Sequence, residues 1–247
     1  CTSLRKLTFQ NPSSISEIKE FAFRKCSSLA EIEIPSSVKM IGSNTFNECT
    51  SLHKVTFQNP SSILHIDWRA FNKCSSLTEI EIPSSAKAIE SFAFNECTSL
   101  CKVTFQNPFS ILQIDWRAFN KCSSLTEIEI PSFVETIRSD AFNECTSLRK
   151  VTFQNPFSIL HIDWGAFNKC SSLTEIEIPS SVKIIGSNAF NECTSLRKLT
   201  FQNPSSISEI RVSAFEKCSS LTEIEIPSSV KRIERFAFNE CTSLCKV

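Results

Sequence analysis

Thirteen cysteines stand in this 247-residue chain, and eleven of them fall at positions 1, 26, 49, 74, 97, 122, 145, 170, 193, 218 and 241. Cysteine at regular spacing can cross-link, hold a metal or pack as a small hydrophobe. No C-x2-C or H-x3-H spacing that would gather ligands round one ion occurs, so no metal site is expected. An odd number of thiols at even pitch suits a stacked row better than paired bridges. Cys26, Cys49, Cys74, Cys97, Cys122, Cys145, Cys170, Cys193 and Cys218 are therefore expected to form a structural ladder of reduced, inward-facing thiols, whose S–H groups serve backbone carbonyls. Cys101 and Cys245 lie four residues after a ladder cysteine, in a slot held elsewhere by Arg or His. That slot faces outward, so both are candidate exposed thiols.

Other reactive residue types are sparse. His65 and His161 share a repeat slot that holds Gln113 in the unit between, which suits a surface filler better than a general base. Asp67, Asp115 and Asp163 recur in an Ile-Asp-Trp motif but lie two repeats apart, too far for a carboxylate pair. Gly42, Gly165 and Gly186 cannot build a glycine-rich phosphate loop. No catalytic residue and no cofactor is assigned, and the expected protein is not an enzyme. The 26 basic and 26 acidic residues balance, which leaves no electrostatic footprint for nucleic acid. No apolar run approaches the ~18 residues of a membrane span.

The elements behind these residues follow from the spacing. The steps between ladder cysteines alternate between 25 and 23 residues, so the true repeat is a 48-residue pair. A period of this size predicts a solenoid, read here as a single unit over 1–247 with ten full coils, the start of an eleventh and no capping segments. Apolar and polar residues alternate around Ile176 and Ile178, the signature of a half-buried strand, and Pro179 ends it. The Val182 and Ile185 spacing suits a tight helical turn or an irregular return, closed by Ala189 and Phe190. Stacked at about 4.8 Å, equivalent strands would form a parallel sheet on one face.

The frame C-x2-L-x2-I-x-I-P, carried by Cys170, Leu173, Ile176, Ile178 and Pro179 and followed by Val182, Ile185, Ala189 and Phe190, resembles the BspA-like leucine-rich repeat. The resemblance covers the whole chain. The 25-residue units depart from it by a Gln-Asn insertion before the proline, so their loops should bulge. It implies a leucine-rich repeat solenoid, with a parallel sheet on one face and short turns or 3-10 segments on the other. It also implies a surface-exposed or secreted protein of the adhesin or matrix-binding kind.

Two rows of charge alternate in sign along the array. One is Lys54, Glu79, Lys102, Glu127, Lys150 and Glu175, five residues after the cysteines; the other runs through Lys73, Glu96, Lys121 and Glu144, just before them. Opposite charges on neighbouring coils would each contribute ~0.2–1 kcal/mol and set the register. Aromatic residues mark where the repeats differ. Trp68, Trp116 and Trp164 occur in the middle three long units, and Phe109, Phe133 and Phe157 replace a serine near the proline in successive coils. Stacked, they would form an interaction strip on a loop edge, unless they fold back to extend the core.

The expected function is a cell-surface or extracellular protein that binds protein or glycan, including extracellular matrix, or serves as a structural array. An intracellular interaction scaffold and a self-associating fibre subunit are the alternatives. The sequence begins and ends inside the repeat, as a stretch of a longer array would.

Overall fold

A computed structural model describes residues 3–9, 13–58, 62–107, 111–155 and 157–246. Each coil has three sides. The first carries strands such as Glu127–Ile130 and Lys150–Phe153, whose burial alternates along their length. The isoleucines and valines at every second position face the core, and the charged partners face water. These strands pair in parallel with residues in equivalent slots, Glu127 opposite Lys150 and Ile128 opposite Val151. Proline then ends the strand, and the second serine of Pro-Ser-Ser ties the turn to the coil before it: Ser37 Oγ donates to the Ile15 carbonyl at 2.7 Å.

The second side differs from the simple return that the sequence suggests. It carries two-residue strands, from Glu17–Ile18 through Thr136–Ile137 and His161–Ile162 to Arg232–Ile233, and these form a continuous ten-stranded parallel sheet. The first side is the interrupted one, divided into groups of three, two, two and two strands. Each division falls between a long unit and the short unit after it, across the coil that carries the Gln-Asn insertion. No α-helix occurs among the described residues.

The third side is a compact turn with two left-handed residues per coil. In one coil these are Arg117 at φ 54° and Lys121 at φ 60°. Such residues cost roughly 1–2 kcal/mol each when they carry a side chain. What offsets the cost is a second hydrogen-bond ladder. Arg117, Phe119 and Lys121 donate their N–H groups to Ser139, Ala141 and Asn143 of the next coil, at 2.8–3.1 Å. The residues between them, Ala118, Asn120 and Cys122, close local turns instead. The backbone is thus paired between coils here as well, although it is not extended.

One core runs through the stack. Cys122, Leu125, Ile128, Ile130, Val134, Ile137, Ala141 and Phe142 are all buried, and each neighbouring coil supplies the same set. Phe46, Phe71, Phe94, Phe119, Phe142, Phe167, Phe190 and Phe215 form a column of nearly parallel rings with centroids 5.2–5.4 Å apart.

Candidate functional site

The turn side concentrates most of the polar chemistry. The ladder cysteines from Cys26 to Cys218 are buried as free thiols. From Cys49 to Cys241 each Sγ donates to a phenylalanine carbonyl of the preceding coil at 3.0–3.3 Å. That carbonyl also accepts the N–H of its own coil's cysteine, as Phe46 does from Cys49. Burial pushes the thiols of Cys49, Cys145 and Cys193 up to about 12 and raises those of Cys74, Cys97, Cys122 and Cys170, so their thiolates are suppressed near neutrality. Cys101 and Cys245 are exposed, with Cys101 Sγ 3.2 Å from the Thr78 carbonyl.

Two residues before each of several cysteines lies the asparagine of an Asn-x-Cys triplet, whose contacts the spacing does not reveal. The Nδ2 groups of Asn72, Asn95, Asn120, Asn143 and Asn168 each donate to the Oδ1 of the preceding asparagine at 2.6–2.8 Å. The row breaks at Asn191, whose amide turns to Asn188 at 3.1 Å. Its signal was the Asn-Glu-Cys and Asn-Lys-Cys recurrence, which reads equally well as a solvated turn.

The amides from Asn47 to Asn143 lie along a groove of about 320 Å³. One wall carries the charge row that precedes the cysteines: Lys25 and Lys73 lie 3.7 and 3.9 Å from Glu48 and Glu96. The opposite wall includes Arg69, Phe92 and Arg117. Arg69 lies over Trp68 at 4.4 Å and over Phe92 at 4.9 Å; Arg117 lies over Trp116 at 5.1 Å and over Phe92 at 5.8 Å. Phe92 meets Trp116 edge-on at 4.7 Å. Arg117 Nε donates to Asp140 Oδ2 at 2.9 Å. Burial pushes the Asp140 carboxyl up despite this bond. Gly165 leaves room for that carboxylate, since a Cβ there would stand 2.5 Å from Asp140 Oδ1.

The remaining candidates are spread out. Trp68, Trp116 and Trp164 are exposed at 41%, 44% and 49%, and Phe133 and Phe157 at 47% and 76%; Phe109 lies outside the described residues. The charge row on the first side is in register, Glu79 opposite Lys102 and Glu175 opposite Lys198. No Lys–Glu ion pair closes along that row among the described residues. A further carboxylate lies between Asp67 and Asp115. Glu90 lies in the intervening coil, its carboxyl pushed up by burial and by both neighbours. No group of three or more residues able to hold a metal occurs among the described residues.

Short parallel strands on two sides of each coil, with a buried Leu-Ile core between them, define a leucine-rich repeat solenoid. The sequence matches the family of the BspA type leucine rich repeat region over residues 1–65, 56–171 and 160–247, so the chain belongs to that family. It is similar to a leucine rich cell surface protein of Faecalibacterium prausnitzii, with 26% identity, TM-score 0.52, and 100% of this chain and 87% of that one covered. A leucine-rich repeat protein of Eubacterium ventriosum shows 25% identity and TM-score 0.68, over 97% of this chain and 65% of that one. The pneumococcal vaccine antigen PcpA, 23% identical with TM-score 0.63 over 98% of this chain and 71% of its own, shares the fold. No curated protein matches the sequence significantly. The family is generally non-enzymatic, and no helix among the described residues is long and apolar enough to cross a membrane.

Proposed function

We propose that this chain is a non-enzymatic adhesion module of a cell-surface or extracellular protein, binding a protein partner through aromatic side chains displayed on a rigid stack. The observation that carries the reading is the exposure of Phe157, at 76% the most open of the large apolar side chains named above. Large apolar groups held out of the core by an ordered backbone favour contact with another surface. Phe133, in the coil before, is exposed as well, and several such contacts along the stack would add through avidity. The similarity to a bacterial leucine-rich cell surface protein supports the location. Binding to immobilised extracellular matrix proteins, measured for the wild type and for Phe133→Ser with Phe157→Ser, tests it. The double variant should keep its thermal midpoint and bind about tenfold or more weakly. Unchanged matrix binding would refute the strip as the contact.

A further inference from the structure

From the groove on the turn side we infer a binding site for an acidic glycan, with the Arg69 guanidinium as its carboxylate anchor. The inference rests on the interaction reading above and gives it a second ligand, on a different side of the coil from the loop phenylalanines.

Arg69 and Arg117 occupy the same repeat slot two coils apart. Both are held against a tryptophan, and both share Phe92 between them. They differ in one respect. Arg117 has the Asp140 carboxylate in the next coil, 2.9 Å from its Nε. The equivalent neighbour of Arg69 is the apolar Phe92, and Arg69 makes no ion pair among the described residues. Its Nε is buried without a hydrogen-bond partner. The chain therefore builds the same cation twice and supplies an anion once. A planar guanidinium already fixed between two rings loses little freedom when a carboxylate docks on its fork.

The floor determines what carries that carboxylate. Each amide of Asn72, Asn120 and Asn143 spends one N–H on its neighbour's Oδ1, which leaves the second for a ligand. Hydroxyl groups suit a row of such donors. An acidic peptide fits less well, because the backbone of this side is already consumed by coil-to-coil bonds such as Lys73 N–H to the Asn95 carbonyl at 2.8 Å. No edge remains for an added strand. The Trp-Arg pairs recur at two coils, roughly 10 Å, about the length of a disaccharide. An acidic disaccharide unit would span that interval with its one carboxylate at Arg69, while Arg117 keeps Asp140. Of the carboxylates that line the groove, Glu48 and Glu96 are matched by Lys25 and Lys73, and Glu144 stands three coils on from Arg69.

The probe is an octasaccharide of alternating glucuronate and N-acetylglucosamine, titrated calorimetrically against the intact chain. Its carboxyl-reduced form and a polyglutamate peptide of equal charge are the comparators. The variant is Arg69→Asn, chosen because Asn44 and Asn188 already fill this left-handed slot in sister coils, so the backbone accepts it. Binding of the acidic octasaccharide, weakened about tenfold or more in Arg69→Asn, is the expected result. Arg69→Lys, which keeps the charge and loses the fork, should fall between the two. The proposal is overturned if the octasaccharide does not bind, if its carboxyl-reduced form binds equally, if polyglutamate binds as well, or if Arg69→Asn leaves the affinity unchanged. Matrix-protein binding measured on the same samples separates the two readings. If it persists while the glycan fails, only the groove is lost.

Discussion

Two sides of this solenoid carry the same alternation of Lys and Glu and use it differently. On the first side the charges stand on strands in exact sequence register, Glu127 opposite Lys150, yet remain apart as solvated side chains. On the turn side Lys73 and Glu96 come within 3.9 Å, and Lys217 and Glu192 within 3.7 Å. The turn side also holds the thiols, the stacked rings and the asparagine row. Its left-handed residues draw the backbone into a tight corner where side chains of successive coils meet. Sequence alternation sets which residues face each other; local backbone geometry decides whether they touch.

If the turn side is the stabilising one, alkali should attack it first. The thiols of Cys49, Cys145 and Cys193 are pushed up to about 12 in the folded chain, and burial raises those of Cys74, Cys97, Cys122 and Cys170 as well, against ~8.5 in an unfolded chain. Above pH ~8.5 the unfolded state therefore binds fewer protons than the folded one, and stability falls as pH rises. Each buried thiol contributes a slope of about 1.4 kcal/mol per pH unit in that window. With so many thiols in one column the chain should unfold well below pH 12, as followed by circular dichroism under reductant. Replacing Cys97, Cys122 and Cys145 by Ala should flatten the slope by about three such increments. A slope unaffected by these replacements would remove the thiols from the account.

Next in size comes the ring column. Phe119 is fully buried between Phe94 and Phe142, with centroids 5.3 and 5.4 Å away. Phe119→Ala should cost about 3–5 kcal/mol in denaturant unfolding. Phe133→Ala on the exposed loop should stay within about 0.5 kcal/mol. Equal losses would erase the distinction between column and strip.

The asparagine row predicts a smaller contrast within one residue type. Asn120 donates to Asn95 and accepts from Asn143, so Asn120→Ala strands a buried acceptor on one side and a donor on the other. About 2–3 kcal/mol is expected. The Asn191 side chain donates to its own coil's Asn188 and to no asparagine of the preceding coil among the described residues, and Asn191→Ala should cost about 1 kcal/mol. Urea midpoints for the two variants settle the order.

What was readable in the sequence followed from periodicity. The 25 and 23 residue steps, the Leu-Ile core slots and the proline stops all act through burial, which a repeated pattern displays directly. The strands on the second side escaped because two residues such as Thr136–Ile137 are too short to show an alternation. The left-handed corner escaped for another reason. Among the described residues its slots hold Arg117, Asp140, Asn188 and Phe236, and only at Gly165 the glycine that usually marks such a backbone. The cation cluster was half visible: Trp68 and Trp116 stood out, whereas nothing in the spacing of Arg69 and Arg117 shows that the turn lays them on the rings.

The smallest expected effect goes most directly to the opening contrast. Lys102→Glu on the first side and Lys73→Glu on the turn side each reverse one charge in an alternating row. Lys102 has Glu79 opposite it in register, across an exposed strand pair with no closed contact, so its reversal should cost only a few tenths of a kcal/mol. Lys73 closes on Glu96 on a groove wall, with side chains 48% and 39% exposed. Its reversal places two carboxylates together at a left-handed backbone position that the pairing helps to hold. A loss of about 0.5–1 kcal/mol is expected, and it should shrink in high salt, where exposed pairs are screened. Thermal midpoints at low and high ionic strength measure both. Equal, salt-sensitive losses would mean that register alone carries the electrostatic benefit and that closing the contact adds nothing. A salt-sensitive loss confined to Lys73 would place that benefit in the corner, beside the groove where Arg69 waits for its anion.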